Sequence, residues 1–409
     1  MALATVSVEM GALRREIKGA ATLRLSMDIT LHGSFSEIPA SDWNGLLADQ
    51  PEATPFLRWE FLSILESTGC TAGKTGWQPL PITVRDPSGA LVAATPAYAK
   101  GHSYGEYVFD WAWADAYQRA GLDYYPKLLI ASPFSPIPGT RLLARDPNAK
   151  LTLIDTIEDQ ARTLGWSSAH VLFTDSHDMA ALRDRGWLIR DNVQFHWQDH
   201  GYNTFDDYLS QLTQPKRKKV KAERRKVADA GISTRIVTGG EITASDWDFF
   251  YKCYANTYLE HHSTPYMTPE CFHALANALP GQFVLSLAER AREPIACALL
   301  MQENHVLYGR YWGALERVDC LHFEVAYYRP IEWAIANGIR RFEGGAQGEH
   351  KLARGFEPVK TYSAHWLSEP RFRDAVARFL ERESQGVERY VNELELRSPI
   401  RSANGLPAL

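Results

Sequence analysis

Apolar residues recur along this chain with two different periods. Pro55, Phe56 and Leu57 open a pattern continued by Phe61, Leu62 and Leu65, the spacing of a helix that should end near Gly69. Residues 81–84, a turn at Asp86-Pro87-Ser88-Gly89 and residues 91–98 predict a β-hairpin. The second half repeats the arrangement: residues 283–288, a charged turn at 290–293, residues 294–301, then a strand at 305–313. Each hairpin has small residues after its turn, Val92-Ala93-Ala94 and Ile295-Ala296-Cys297-Ala298, which predicts an internal duplication.

Beyond the second hairpin, Phe323, Tyr327, Ile331 and Ile335 fall four apart, one stripe of a helix that should stop at Gly338. Pro330 inside it predicts a kink or a break. Residues 340–343 then read as a short strand, which delivers Gly344, Gly345 and Gly348 as a tight loop. Strand, helix, strand and glycine loop is a mixed α/β (α+β) pattern, with ligand groups beyond the strand ends. The expected partition is an extension over 1–27, frayed or disordered, a first module over 28–200, a second over 201–385 and a tail over 386–409, with the seam near 197–213.

Composition sets the scale. A chain of 409 residues exceeds what one core usually supports, so two domains are expected, and 45% hydrophobic residues suffice to fill them. The net charge of −5 argues against wholesale coating of nucleic acid. The five cysteines, Cys70, Cys253, Cys271, Cys297 and Cys320, are odd in number and widely spaced, which fits a reducing compartment and core packing. No run approaches the length of a membrane span, and the first residues lack a secretory pattern, so a cytoplasmic protein is expected, or one peripheral at the inner membrane surface.

Local charge departs from this average. Residues 215–226 carry eight basic groups and one acid, and Val220 and Val227 mark only a thin apolar stripe, so this basic helix (215–230) must face solvent or a partner. Acyl-carrier protein, the phosphates of a cofactor, a membrane surface or tRNA would be matching anions for Lys216 to Lys226. The segment lacks the interleaved aromatics of a base-stacking surface.

Two stretches concentrate chemistry. One is His322-Phe323-Glu324 followed by Glu343-Gly344-Gly345-Ala346-Gln347-Gly348-Glu349-His350-Lys351 and Arg354-Gly355-Phe356-Glu357-Pro358. The other is His102-Ser103-Tyr104-Gly105-Glu106-Tyr107-Val108-Phe109-Asp110-Trp111 with Tyr124-Tyr125-Pro126-Lys127. Glu343 and His350 are candidate acids or bases, and Lys351 and Arg354 candidate anion holders; an ordinary polar turn would use the same residue types. His102 and Glu106, four apart, would share a side of a helix, although Gly105 favours a loop equally. A carboxylate such as Glu324 near a helix start is also favoured by the dipole alone.

These motifs resemble a bacterial family of Fem-like N-acyltransferases, associated with peptidoglycan biosynthesis or recognition, over roughly residues 29–367. The resemblance implies tandem modules related to the GNAT acyltransferases. Acyl transfer to an amine requires a base and a donor to the developing oxyanion. The matching positions offer Glu343, His350, His102, Glu106 and Glu324 for catalysis. For substrate or cosubstrate binding they offer His322, Gly344, Gly345, Gln347, Gly348, Lys351, Arg354, Tyr104, Tyr107, Asp110, Trp111 and Lys127.

Zinc-protease, nucleophile-elbow and Walker motifs are absent, and His261-His262 is too isolated to indicate a metal. The glycine-rich loop that holds the coenzyme A pyrophosphate in typical GNAT enzymes is not evident in residues 312–320. No tightly bound cofactor is expected; the cosubstrate would be acyl-CoA or another acyl thioester. The expected function is N-acyl transfer to an amine on a lipid or cell-envelope precursor held between the modules. An aminoacyl-tRNA-dependent ligase and a noncatalytic glycan- or lipid-precursor-binding protein are the alternatives.

Overall fold

The computed structural model describes residues 27–400 other than Gln347; most of the expected extension (residues 1–26) and the end of the expected tail lie outside the described residues. The first half contains β1 (Asp28–Leu31), α1 (Ala40–Ala48), α2 (Trp59–Ser67), β2 (Trp77–Pro79), β3 (Ile82–Arg85), β4 (Leu91–Thr95) and β5 (Ala97–Lys100). It continues with α3 (Trp111–Arg119), β6 (Lys127–Ile130), β7 (Leu143–Ala144), α4 (Pro147–Thr163), β8 (Ser168–Thr174), α5 (Ser176–Asp184) and β9 (Leu188–Gln198). The second half opens on α6 (Phe205–Gln211) and α7 (Gln214–Asp229), then β10 (Ile232–Thr238), α8 (Ala244–Glu260) and α9 (Pro269–Ala278). After these come β11 (Phe283–Arg290), β12 (Glu293–Glu303) and β13 (Val306–Ala314), then α10 (Leu321–Phe323), α11 (Arg329–Ala336), β14 (Arg341–Glu343), β15 (Glu357–Leu367) and α12 (Pro370–Leu396).

The duplication is visible in the topology. In the first half β6 runs parallel to β8 over Leu128–Ala169, Leu129–His170 and Ile130–Val171, with α4 as the crossover. In the second half β13 runs parallel to β14 over Val306–Arg341, Leu307–Phe342 and Tyr308–Glu343, with α10 and α11 as the crossover. Each pair follows an antiparallel hairpin, β3–β4 or β11–β12, as the alternating patterns predict.

Three details differ from the sequence reading. The first hairpin's second strand divides at Pro96, which has no N–H to donate: β4 stays in a four-stranded sheet and β5 enters the large one. Pro330 does not break its helix: a π turn at Glu324–Tyr328 stands just before it and joins α10 to α11. The tail begins later than residue 386, since α12 continues to Leu396 with Val391 and Leu394 buried.

The halves also interlock. One eleven-stranded sheet runs β10-β11-β12-β13-β14-β9-β15-β8-β6-β5-β2. Thus β9 of the first half lies between two strands of the second, and β15 returns to pair with β8. One core crosses the seam on a single face of this sheet: Phe56, Trp77 and Phe134 of the first half cluster with Phe250, Phe272, Leu299 and Tyr308 of the second. The Phe56 and Tyr308 rings meet edge to face at 5.5 Å, and Phe134 stacks on Tyr266 at 5.0 Å.

Candidate active site

The glycine segment lies where β13 and β14 stop pairing, beyond Tyr308–Glu343. There β13 bulges: Leu299 pairs with Tyr311 and Leu300 with Gly309, leaving Arg310 without a partner in β12. Arg310 reaches across the seam to donate to the Phe134 carbonyl. Bulges of this kind re-aim backbone beside functional sites. Gly345 has φ 77°, and a side chain there would press on the Gly309 carbonyl at 3.1 Å; at Gly344 it would meet Phe356 at 3.0 Å and Lys351 at 3.1 Å. Gly348 adopts φ 124°. Gln347 lies outside the described residues.

Strand alternation separates the two leading base candidates. Phe342 packs on Phe356 in the core behind the sheet, so Arg341 and Glu343 face the other way, toward Tyr308 and the first half. Glu343 is 1% exposed; one carboxyl oxygen lies 3.1 Å from Arg341 Nε and the other has no hydrogen-bond partner among the described residues. Arg341 also reaches Glu52 at 3.2 Å. Burial raises the Glu343 carboxyl to about 7, against the opposing pull of Arg341. His196, its cross-strand neighbour, is lowered to about 3 by burial and so is neutral.

On the opposite face the His322 helix start and the glycine segment meet. The His350 ring lies 6.0 Å from that of His322, 5.9 Å from Phe323 and 5.7 Å from Tyr327, and its Nε2 is 3.1 Å from the Tyr327 hydroxyl. His322 also packs on Trp312 at 4.9 Å. Burial lowers His322 to about 4, and burial with Lys351 and Arg354 nearby lowers His350, so both imidazoles are neutral at pH 7.

The two cations expected to hold an anion turn inward. Lys351, 1% exposed, donates to the Gly345 and Ala346 carbonyls at 3.1 and 3.0 Å. Arg354, 3% exposed, donates to the His350 carbonyl at 2.8 Å, pairs with Glu223 at 2.9 Å and lies 3.4 Å over the Phe323 ring. Both brace the loop that carries His350. Glu324 is likewise taken up: it sits on the π turn, buried, and pairs with Arg224 of α7 at 2.9 Å. This clamp, with the Glu223–Arg354 pair, fixes the basic helix against the site beyond what Val220 and Val227 alone would do.

The first-half motif forms a separate constellation. The segment at 101–110 is a loop, with Gly105 at φ 81° and Tyr107 at φ 62°, so His102 and Glu106 share no helical face. Lys127, fully buried, bonds Asp110 at 2.5 Å, Glu106 at 2.8 Å and the Ser103 hydroxyl at 2.8 Å. Asp110 accepts from the Tyr124 hydroxyl at 2.6 Å, Tyr124 meets His170 at 3.2 Å, and His170 meets His365 at 2.7 Å. Burial alone would raise Asp110, but the Lys127 charge holds it well below the usual range; Glu106, more deeply desolvated, rises to about 7. Burial lowers Lys100, beside Glu106, to about 7 and His170 to about 3.

His102 and Tyr104 stand outside this cluster, with ring centroids 5.1 Å apart and Tyr104 5.0 Å from Trp111. His365 is eight residues along β15 from Glu357, which pairs with His196 beside Glu343. That spacing spans roughly 25 Å. His170 and His365, at that end of the sheet, are therefore far from Glu343, while Gly105 and Tyr107 of the first-half loop pack at the seam against Phe134 and the shared core. Sequence reasoning missed Lys100, His170 and His365. The one signal was a histidine or lysine inside an otherwise apolar strand, which by itself reads as core.

Interlocked repeats, each with a parallel strand pair joined by a helix, and a protonatable loop at the parting of one pair define a duplicated mixed α/β protein. The chain belongs to the FemAB-like family, described as peptidoglycan biosynthesis/recognition, whose model matches residues 34–402. No curated protein matches the sequence. Among solved structures, FemX is similar at TM-score 0.53 and 11% identity, covering 83% of this chain and 98% of its own. The C-terminal domain of a putative lysylphosphatidylglycerol synthetase from Agrobacterium fabrum gives TM-score 0.51 and 9% identity, covering 86% of this chain and 97% of that one. L-PGS from Bacillus licheniformis gives 0.50 and 11%, covering 84% and 97%. At these identities the likeness is one of fold. No helix among the described residues is long and apolar enough to cross a membrane.

Proposed function

We propose that the protein is an N-acyltransferase that moves an acyl group from a thioester donor, acyl-CoA or acyl-carrier protein, to an amine on a lipid or cell-envelope precursor. The observation that carries this reading is Glu343: a buried carboxyl with one oxygen unpartnered among the described residues, raised by burial to about 7, at the point where two parallel strands part. A base with that pKa can take the proton of an amine at neutral pH. Past Tyr308 β13 no longer pairs with β14, and Gly309 packs instead against Gly344 and Gly345; an acyl oxyanion would need a main-chain N–H of this segment as its donor. On this reading His322 and His350, neutral groups on the opposite face, would orient the donor.

A second reading has its own observation. The basic helix α7 is clamped directly beside this gap through Arg224–Glu324 and Arg354–Glu223, which suits a polyanionic donor such as aminoacyl-tRNA. The test is a parallel assay on the full chain, with thiol release measured across acyl-CoA lengths and amide formation measured from aminoacyl-tRNA. Thiol release dependent on an added amine and lost in Glu343→Gln supports the thioester reading. Turnover with aminoacyl-tRNA alone selects the ligase, and binding of precursor without turnover from either donor overturns both in favour of a noncatalytic binder.

A further inference from the structure

Glu343 does not hold its side of the sheet alone. His196 of β9 is its cross-strand partner, and Phe195 and Trp197 on either side of His196 join Phe342 in the core behind the sheet, so the imidazole stands on the Glu343 face. Directly opposed side chains of an antiparallel pair have Cβ atoms about 5 Å apart. Gln194, two residues earlier on the same face, meets His196 Nε2 through its Oε1 at 3.2 Å. Its Nε2 donates at 2.7 Å to the Pro136 carbonyl of the first half. Gln194 and His196 are 3% and 4% exposed, so neither hydrogen bond is open to exchange with bulk solvent.

This chain of contacts fixes a proton. A main-chain carbonyl only accepts, so the Pro136 oxygen draws the amide nitrogen of Gln194 toward itself and turns the amide oxygen toward His196. That oxygen also only accepts, so His196 carries its proton on Nε2. Burial, with Arg341 and Lys351 nearby, keeps the ring from taking a second proton. Nδ1 is left with a bare lone pair and no hydrogen-bond partner among the described residues. Glu343 Oε2 is a second acceptor without one. Two neighbouring acceptors, one able to take a proton and one able only to receive a hydrogen bond, match a nitrogen that carries two N–H groups.

We propose that His196, held in this tautomer by Gln194 and Pro136, receives the second N–H of the acyl acceptor and selects primary amines. The inference rests on the acyl-transfer reading above and names its nucleophile. With one N–H on Glu343 and the other on His196, the nitrogen lone pair is left to face the acyl carbon. As the C–N bond forms, the first proton passes to Glu343; the C–S bond then breaks and the thiolate leaves with that proton as the free thiol. The N–H on His196 stays with the product amide. An alcohol has a single O–H and leaves Nδ1 unpaired, and an N-methyl amine sets a methyl group against it.

The experiment measures thiol release by the full chain across acyl-CoA lengths, with dodecylamine, N-methyldodecylamine and dodecanol as acceptors, for wild type and His196→Phe. Wild type should prefer dodecylamine by at least ~10-fold in kcat/KM, and His196→Phe should lower that preference by roughly the same factor. Each preference compares acceptors on one protein, so a loss of folded material cancels. Long-range proton–nitrogen correlations in histidine-labelled wild type read the tautomer without turnover: protonated Nε2 and bare Nδ1 are expected, with the two tautomers mixed in Gln194→Leu. A protonated Nδ1, or an unchanged preference in a His196→Phe protein that still acylates dodecylamine, overturns the inference and leaves acyl transfer standing. Thiol release with none of the three acceptors overturns the acyl-transfer reading, and the inference with it.

Discussion

Burying Glu343 to 1% exposure moves its titration to about 7, so the protein's stability and activity should respond to pH in opposite ways. The folded-state pKa is raised above the ordinary 4.5, so the stability from burying the neutral carboxyl is full below about 4.5 and is lost as pH rises through about 7. Activity as a base needs the ionised form and should rise over the same interval. Glu343→Gln is therefore expected to lower kcat/KM by roughly 10²–10⁴-fold. It should also be more stable than wild type at pH 8, by up to ~3 kcal/mol, and indistinguishable from it at pH 4. Thermal unfolding at the two pH values and a pH–rate profile check this; an activity limb well below 6.5 would instead assign the proton to His350, whose pKa is lowered. Lys127→Met makes a second case. Lys127 bridges Glu106 and Asp110 with no solvent access, so its loss leaves two buried carboxyls with Lys100, 3.9 Å from Glu106, as the nearest ion-paired cation among the described residues. Urea unfolding should show a loss of ~3–5 kcal/mol.

At the scale of elements, the basic helix α7 divides into an inner and an outer face. Val220, Glu223 and Val227 are buried, while Lys218, Lys219, Lys221, Arg225 and Lys226 are exposed. Replacing Lys218, Lys219 and Arg225 with Gln should leave unfolding within ~0.5 kcal/mol of wild type. It should weaken binding of any polyanionic donor and flatten its salt dependence by roughly two to three charges. Arg224→Gln should do the reverse: it removes the partner of buried Glu324 and costs ~2 kcal/mol in urea unfolding, with little change in the salt slope. The helix, both hairpins and the glycine loop were legible in the sequence because each is written in local spacing. The π turn was not, because Pro330 announces only that regular hydrogen bonding fails, not how the backbone accommodates it.

At the scale of the whole molecule, the two repeats form one folding unit. β9 lies between β14 and β15, and β15 closes onto β8, so a chain ending near residue 200 would leave β9 and β8 with unpaired edges and half of the shared core exposed. The separated fragments 1–200 and 201–409 are therefore expected to be insoluble or unfolded, while the full chain unfolds in one transition that coincides by tryptophan fluorescence and circular dichroism. Two resolved transitions, or a folded fragment, would show that the halves are independent.

By itself the sequence determined the strands, helices and glycine turns, the repetition of a hairpin and the residues that carry chemistry, since periodicity, turn propensity and composition are local properties. Only the tertiary structure decided which of those residues meet. Strand alternation turned Glu343 to one face of the sheet, and the 3-10 turn over Glu349–Arg354 carried His350, seven residues on, to the other; burial raised the Glu343 carboxyl to about 7 and turned Lys351 and Arg354 into braces. The pairing of β15 with β8 brought His170 and His365 together from 195 residues apart. Such contacts depend on chain reversals and on desolvation, and neither quantity is carried by any single stretch of sequence.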